Sequence, residues 1–292
     1  MRLELKTPIA VICHDAGASN HIISWLRVDG RLESVRAVMC GPAEGLWRQA
    51  FPEAPLCNSI EMALEDAQSV ISGTGWASNI EHEARRMAKA RAIHSVAVID
   101  HWVNYAERFI RGGECVWPDV FWVVDEQAMS IAELTFPGAA IRLVPNVYLA
   151  NQIQSVLPAP IVQPELLYVL EPMRTDWGRG EGGEFQALDY FVSKLPCLNL
   201  PAEIVIRLRP HPSDPKGKYD AWIAMHPELN ILVDHSLQMS EALSRARWVA
   251  GCESFALVIA LGAGRQVYCT LPPWAPACRL PHHGLIHLNK IG

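Results

Sequence analysis

No apolar run in this chain approaches the roughly 20 residues that a membrane-spanning helix needs. The amino terminus, Met1-Arg2-Leu3-Glu4-Leu5-Lys6-Thr7-Pro8, shows no signal-peptide apolar region followed by a cleavage site. Charge is sparse, at 19% of residues, and the net balance of −6 withholds the basic face that a nucleic-acid backbone demands. The eight cysteines (Cys13, Cys40, Cys57, Cys115, Cys197, Cys252, Cys269 and Cys278) include no C-x-x-C pair, and several lie inside apolar runs. They read as thiols of a reducing compartment rather than a disulfide frame or a zinc site. Gly73-Thr74-Gly75-Trp76 lacks both the full G-x-G-x-x-G spacing and a Walker lysine, so it is a bare-backbone turn and no more. His82 has Arg86 where a zinc-protease helix carries its second histidine, and His282 and His283 are adjacent rather than one helical turn apart. The expectation is a soluble cytoplasmic protein with no metal, no cofactor, no nucleic-acid partner and no integral membrane segment.

What remains is apolar and regularly patterned. Half of the residues are hydrophobic, and 292 residues suit two domains of ordinary size. Short continuous apolar runs at 9–13, 35–39, 69–72, 95–100, 120–125 and 141–144 read as buried parallel strands. Between them lie helical patterns at 44–51, 60–67, 80–91 and 126–134. Alternation of this kind predicts a doubly wound parallel sheet. The proline-rich stretch 157–165 interrupts it and reads as a linker. The rhythm then resumes, with strands at 166–170, 204–208, 230–233, 248–250 and 266–270. The fold class is therefore α/β, with two doubly wound (Rossmann-like) domains, 1–156 and 166–292. Such domains place ligands outside the carboxyl ends of their strands, in a cleft where the two halves face each other.

One segment carries unusual chemistry. The strand 204–208 runs into Arg209-Pro210-His211-Pro212-Ser213-Asp214-Pro215, and Arg207, Arg209, Lys216 and Lys218 crowd the turn. Proline fixes φ and removes amide donors, so His211 and Pro212 sit on a rigid corner at a strand's carboxyl end. Cations there suit a phosphate or nucleotide. Gly251-Cys252-Glu253-Ser254 is a second candidate: a small-residue turn opening a helix, whose amides form an anion site. By itself, it is equally an ordinary capped helix start.

Taken together, these residues form a pattern: the His-Pro corner, then Asp234, Glu241-Ala242-Leu243, Arg245-Ala246, Val249, Gly251, Ser254, Ala256-Leu257-Val258, Ala260-Leu261 and Gly264. The pattern resembles the donor-binding half of GT-B glycosyltransferases. It is most similar to the bacterial HP-motif enzymes of polysaccharide biosynthesis that use CMP-activated acidic sugars (sialic acids, related nonulosonic acids or Kdo). The resemblance covers about 60 residues. It implies that His211 and Pro212 contact the nucleotide and that Ser254, with Gly251 and Glu253 beside it, meets the phosphate. It also implies a nucleotide-sugar donor and a carbohydrate or protein acceptor as partners. A clear acidic Asp/Glu-Asp/Glu-Gly motif in the amino half, which that family carries, is missing here.

An inverting transfer needs a base to deprotonate the acceptor hydroxyl. Asp15 ranks first, because His14, Gly17 and their small neighbours let a substrate approach. Asp100, followed by His101 and Trp102, ranks second, and Asp125 third. Each is as well read as a helix cap or a structural hydrogen bonder. Thr74, Gly75 and Trp76 join His14, Gly17 and His101 as candidate acceptor-lining residues. Trp274 stands in a rigid proline-rich loop, where it either stacks on a ligand or packs. Three other activities fit the same architecture: a nucleotide-sugar 2-epimerase or hydrolase, a CDP-alcohol transferase, and a non-catalytic sugar-nucleotide-binding subunit.

Overall fold

The structure is a computed structural model that describes residues 2–162, 164–173 and 175–291. Met1 and Gly292, the expected ends of the two domains, and Gln163, inside the expected linker, lie outside the described residues. So does Arg174. The chain divides into two compact units, Met1–Tyr148 and Leu149–Gly292.

In the first unit, β1 (Ile9–Cys13), β2 (Val35–Met39), β3 (Ser69–Ser72), β4 (His94–Val98), β7 (Val120–Val123) and β8 (Ile141–Leu143) form one sheet in the order β2-β1-β3-β4-β7-β8. Every pairing is parallel. The run Ile9–Cys13 is wholly buried, as a central parallel strand with both faces covered must be. A two-residue hairpin, β5 (Ile110–Arg111) and β6 (Glu114–Cys115), stands apart from this sheet. The crossovers are α1 (Ala16–Asp29), α2 (Gly41–Ala50), α3 (Ile60–Ala63), α4 (Ile80–Ala90) and α5 (Glu126–Thr135); α6 (Val147–Gln154) begins in the last two residues of this unit and continues into the second. Helix α1 stops at Gly30, whose φ of 76° is a left-handed conformation that glycine adopts without strain. Trp25 anchors the core: it is fully buried, meets Trp122 edge-on at 5.5 Å and gives its indole N–H to the Pro145 carbonyl at 2.8 Å.

The second unit repeats the plan with β9 (Glu165–Val169), β10 (Ile206–Arg209), β11 (Ile231–Val233), β12 (Ala246–Gly251), β13 (Gln266–Cys269) and β14 (Leu285–His287). Their order, β11-β10-β9-β12-β13-β14, is the Rossmann order 3-2-1-4-5-6, again all parallel. The helices are α7 (Gly183–Lys194), α8 (Asp220–Ala224), α9 (Met239–Arg245) and α10 (Phe255–Gly262). Among the described residues, no helix is long and apolar enough to cross a membrane.

Several boundaries move. The strand expected from 204 begins at Ile206, because Ile204 turns its N–H back to the Pro201 carbonyl. Helix α3 stops at Ala63 rather than at 67. Helix α2 starts three residues early, since Pro42 sits in its first turn, where no amide donor is needed. Helix α6, the hairpin and β14 have no counterpart in the sequence reading.

The strand orders fix where ligands go. In an open α/β sheet the crevice opens where successive crossovers leave in opposite directions. That point lies between β1 and β3 in the first unit, and between β9 and β12 in the second.

Candidate functional site

At the switch point of the first sheet, the loops after β1 and β3 are tied together by carboxylates. Asp15 holds the N-cap position of α1, yet its side chain makes no capping bond. It turns instead to accept the Trp76 amide at 3.1 Å with Oδ2, and His14 Nδ1–H at 2.6 Å with Oδ1. Both side chains are partly open, His14 at 19% and Asp15 at 32%. Two glycines make the arrangement possible. A Cβ on Gly75 would fall 2.0 Å from Asp15 Oδ2, and one on Gly41 would fall 2.6 Å from His14 Nε2. The face of Nε2 is therefore clear of side chain at Gly41. Beneath this pair lies Glu81, which accepts the amides of His14 and Gly75. Burial raises its pKa, against the pull of those two amides.

Asp100 is of a different kind. It is half-buried, and desolvation on its own raises its pKa, but the Arg108 guanidinium 2.7 Å away, with smaller help from His21 and His101, more than reverses this and keeps it ionised. Arg108 also donates to Thr74 Oγ1 at 3.0 Å, and Thr74 donates to the Val98 carbonyl. Gly17 passes so close that a Cβ would lie 1.6 Å from Asp100 Oδ2. His101 packs on Trp102, with ring centroids 5.1 Å apart, and Trp76 is half exposed beneath the Arg111 guanidinium. Asp125 is a true helix cap, accepting the Ala128 amide at 2.6 Å and the Trp102 indole. Thus the structure gathers His14, Asp15, Gly17, Thr74, Gly75, Trp76 and Asp100 around one crevice. Of the three candidate bases, only Asp15 is neither capped nor locked by a cation.

The second unit holds a larger surprise. Ser254 does cap α10, accepting the Ala256 amide at 3.2 Å. The amides of Cys252, Glu253 and Ser254, however, converge on a protein carboxylate: Glu171 Oε1 accepts them at 3.1, 2.8 and 2.8 Å. Glu171 lies two residues past the end of β9, so the anion site at this switch point is filled by the chain's own side chain. Burial, reinforced by the nearby Glu253 charge, lifts its pKa to about 7 despite the three amides.

The basic corner is likewise committed. Arg207 is bidentate to Glu165; Arg209 pairs with Asp234, which also holds Arg245; Lys218 lies between Asp214 and Glu184 at 2.8 and 2.6 Å. His211 is exposed, its Nδ1 2.7 Å from Ser213 Oγ. Pro212 lines a pocket of about 630 Å³ with Arg209, Lys218, Asp234 and Ser236, at the carboxyl edge of β10 and β11. A larger hollow of about 960 Å³, lined by residues such as Leu195, Pro201 and Asn230, lies at the opposite, amino-terminal edge, where α/β sheets do not bind ligands. Trp274 is engaged as well: Arg179 stacks 3.6 Å above its ring and its indole N–H reaches Gln186 at 2.7 Å.

No protein-family model and no curated protein sequence matches this chain. Solved structures do. A Listeria monocytogenes protein, described as a proposed UDP-N-acetylglucosamine 2-epimerase, superposes with a TM-score of 0.64 at 13% identity, covering 95% of this chain and 83% of that one. The UDP-GlcNAc 2-epimerase of Methanocaldococcus jannaschii, solved with UDP-GlcNAc and UDP, gives 0.60 at 10% identity, covering 96% and 88%. MurG of Acinetobacter baumannii gives 0.53 at 14%, covering 92% and 80%. The fold is GT-B. Identity this low carries the architecture and not the reaction, and these neighbours do not single out enzymes of CMP-linked acidic sugars.

Within this GT-B chain the sequence reading missed Glu81, Arg108 and Glu171. Glu81 lies in the helix-opening string Glu81-His82-Glu83, where nothing marks it as buried. Glu171-Pro172 does carry a signal: an acidic residue directly after an apolar strand, at the edge where ligands bind.

Proposed function

We propose that this chain binds a nucleotide-activated sugar and breaks the bond between its anomeric carbon and the phosphate, delivering the sugar to a hydroxyl acceptor. The observation that carries the reading is the open His14–Asp15 pair at the switch point of the first sheet. Asp15 fixes the ring through Nδ1–H, leaving Nε2 to take the acceptor proton. The acceptor oxygen then forms its bond to the anomeric carbon as the bond to phosphate breaks, and the nucleotide departs with the electron pair. Asp15 stabilises the imidazolium that results. Residues 1–156 handle the acceptor and 166–292 the nucleotide, with 157–165 linking them. His211, Pro212 and the start of α10 are the nucleotide contacts, and their motif favours a CMP-linked acidic sugar as donor.

A second reading, 2-epimerisation of a UDP-sugar, is favoured by the UDP-GlcNAc 2-epimerases among the structural neighbours. Inverting a carbon centre by moving its proton off one face and back onto the other asks for two proton carriers. In the first unit's crevice, the second carrier would have to be Asp100, held ionised by Arg108, or the buried Glu81. That count favours transfer.

One pair of measurements tests both. Calorimetric titration with CMP, CDP, UDP and GDP identifies the nucleotide. Incubation with UDP-N-acetylglucosamine alone, in deuterated water, reports epimerisation as deuterium at C2 or as release of UDP. Transfer predicts nucleotide binding that weakens in His211→Ala and no turnover until an acceptor is supplied. Deuterium exchange without acceptor establishes the epimerase reading, and failure to bind any of the four nucleotides overturns both.

A further inference from the structure

The crossover between β13 and β14 is anomalous. Parallel neighbours are normally joined through a helix, yet residues 270–284 contain none. The segment is rich in proline (Pro272, Pro273, Pro276, Pro281), and loops of this length without internal structure generally need something to hold them.

Three side chains meet along it. Cys269 closes β13, Cys278 lies midway in the crossover and His287 closes β14, with one donor atom from each within 4.8 Å of the others. Cys269 is buried, while Cys278 and His287 are partly open. Both thiols point at one acceptor, the Cys252 carbonyl, at 3.1 Å from Cys269 Sγ and 3.9 Å from Cys278 Sγ. The next residue, Arg279, is pinned to Glu253.

We propose that Cys269, Cys278 and His287 bind a zinc-class divalent cation that staples the helix-free crossover to the edge of the second sheet. Two thiolates and an imidazole are the donor set of a borderline-soft, tetrahedral ion rather than of magnesium or calcium. With Zn–S near 2.3 Å and Zn–N near 2.0 Å, tetrahedral donors lie about 3.5–3.8 Å apart, so closure of roughly 1 Å completes the site. Binding releases two protons, one from each thiol, and leaves a fourth position for water or a further ligand. The ion would fix the loop bearing Trp274 and Arg279 against the start of α10.

The test is a cobalt(II) titration of the whole chain, with its thiols first shown to be reduced. One cobalt per chain is expected, giving thiolate-to-metal charge-transfer absorption and the strong visible bands of a tetrahedral site, displaced by one equivalent of zinc. In Cys278→Ser and His287→Gln, both at partly exposed positions, affinity should fall at least about tenfold while circular dichroism stays unchanged. His283→Gln, exposed four residues away, should bind as the parent does. A reduced chain with no thiolate–cobalt band overturns the proposal. So do Cys278→Ser and His287→Gln variants that bind as tightly as the parent, and so does equal loss in His283→Gln.

Discussion

The N–H of Ser254 donates to Oε1 of Glu171 at 2.8 Å, so a helix start suited to phosphate already holds an anion. Three amides on one carboxylate oxygen would ordinarily depress a pKa. Here burial and the neighbouring Glu253 charge win, and Glu171 titrates near 7. An ionised Glu171 competes strongly with a ligand phosphate for the same donors, and a protonated one, a neutral acceptor, competes far less.

Nucleotide affinity should therefore fall as pH rises from 6 to 8. A single linked proton allows at most about tenfold per pH unit. Glu171→Gln removes the charge while keeping an amide acceptor, so its affinity should be higher at pH 8 and nearly independent of pH. Calorimetry with UDP and CMP on both proteins at three pH values measures the difference. Parallel pH profiles for parent and variant would show that phosphate does not use this site.

Stability follows from the same shift. The folded-state pKa is raised above the ordinary glutamate value of 4.5, so the folded state binds the extra proton between about pH 4.5 and 7. The contribution of Glu171 is fully present below pH 4.5 and is lost as pH rises through 7. A shift of this size corresponds to about 3 kcal/mol as an upper bound. Glu171→Gln should thus gain stability over the parent at pH 8, by about 1–3 kcal/mol, and little at pH 5. Urea unfolding at the two pH values reads it directly.

Asp100 and Arg108 should behave in the opposite way. Arg108 is buried and Asp100 half-buried, with side-chain exposures of 6% and 18%, and removing Arg108 strands a largely desolvated carboxylate. Arg108→Ala should cost about 3–5 kcal/mol. Gly17→Ala should be costly too, because its methyl would meet an Asp100 carboxylate that Arg108 holds in place. Thermal unfolding of both variants tests this; a melting temperature unchanged in Arg108→Ala would show that the pair is not what orders the loop after β4.

The sequence made the sheets legible because parallel strands with both faces covered leave continuous apolar runs, as Ile9–Cys13 and Ser69–Ser72 do. Catalytic candidates at strand ends were legible for the same reason, since the ends of such runs are where loops carry chemistry. What stayed hidden was partnership. Arg207, Arg209 and Lys218 announce charge, but Glu165, Asp234 and Glu184, which neutralise them, are remote in sequence and come close only through sheet order. Asp15 and Asp125 look alike as residues preceding helices, and only the fold separates a cap from a side chain turned away from its helix.

That separation yields the sharpest functional prediction. Asp15 spends its oxygens on His14 Nδ1 and the Trp76 amide, so Asp15→Asn keeps its shape but loses the charge that stabilises a protonated His14. Turnover should drop by about 10²–10⁴, and His14→Gln should do the same, with melting temperatures near the parent's because both residues are partly open to solvent. The two losses should not add, since the residues act as one unit, and the double variant should be no slower than the worse single variant. Gly75→Ala provides a steric version of the same experiment: its methyl, 2.0 Å from Asp15 Oδ2, must push the carboxylate off His14. It should lower kcat with little change in KM for the nucleotide sugar. Additive losses, or a Gly75→Ala enzyme with unaltered kcat, would show that Asp15 positions the β3 loop and takes no part in the proton transfer.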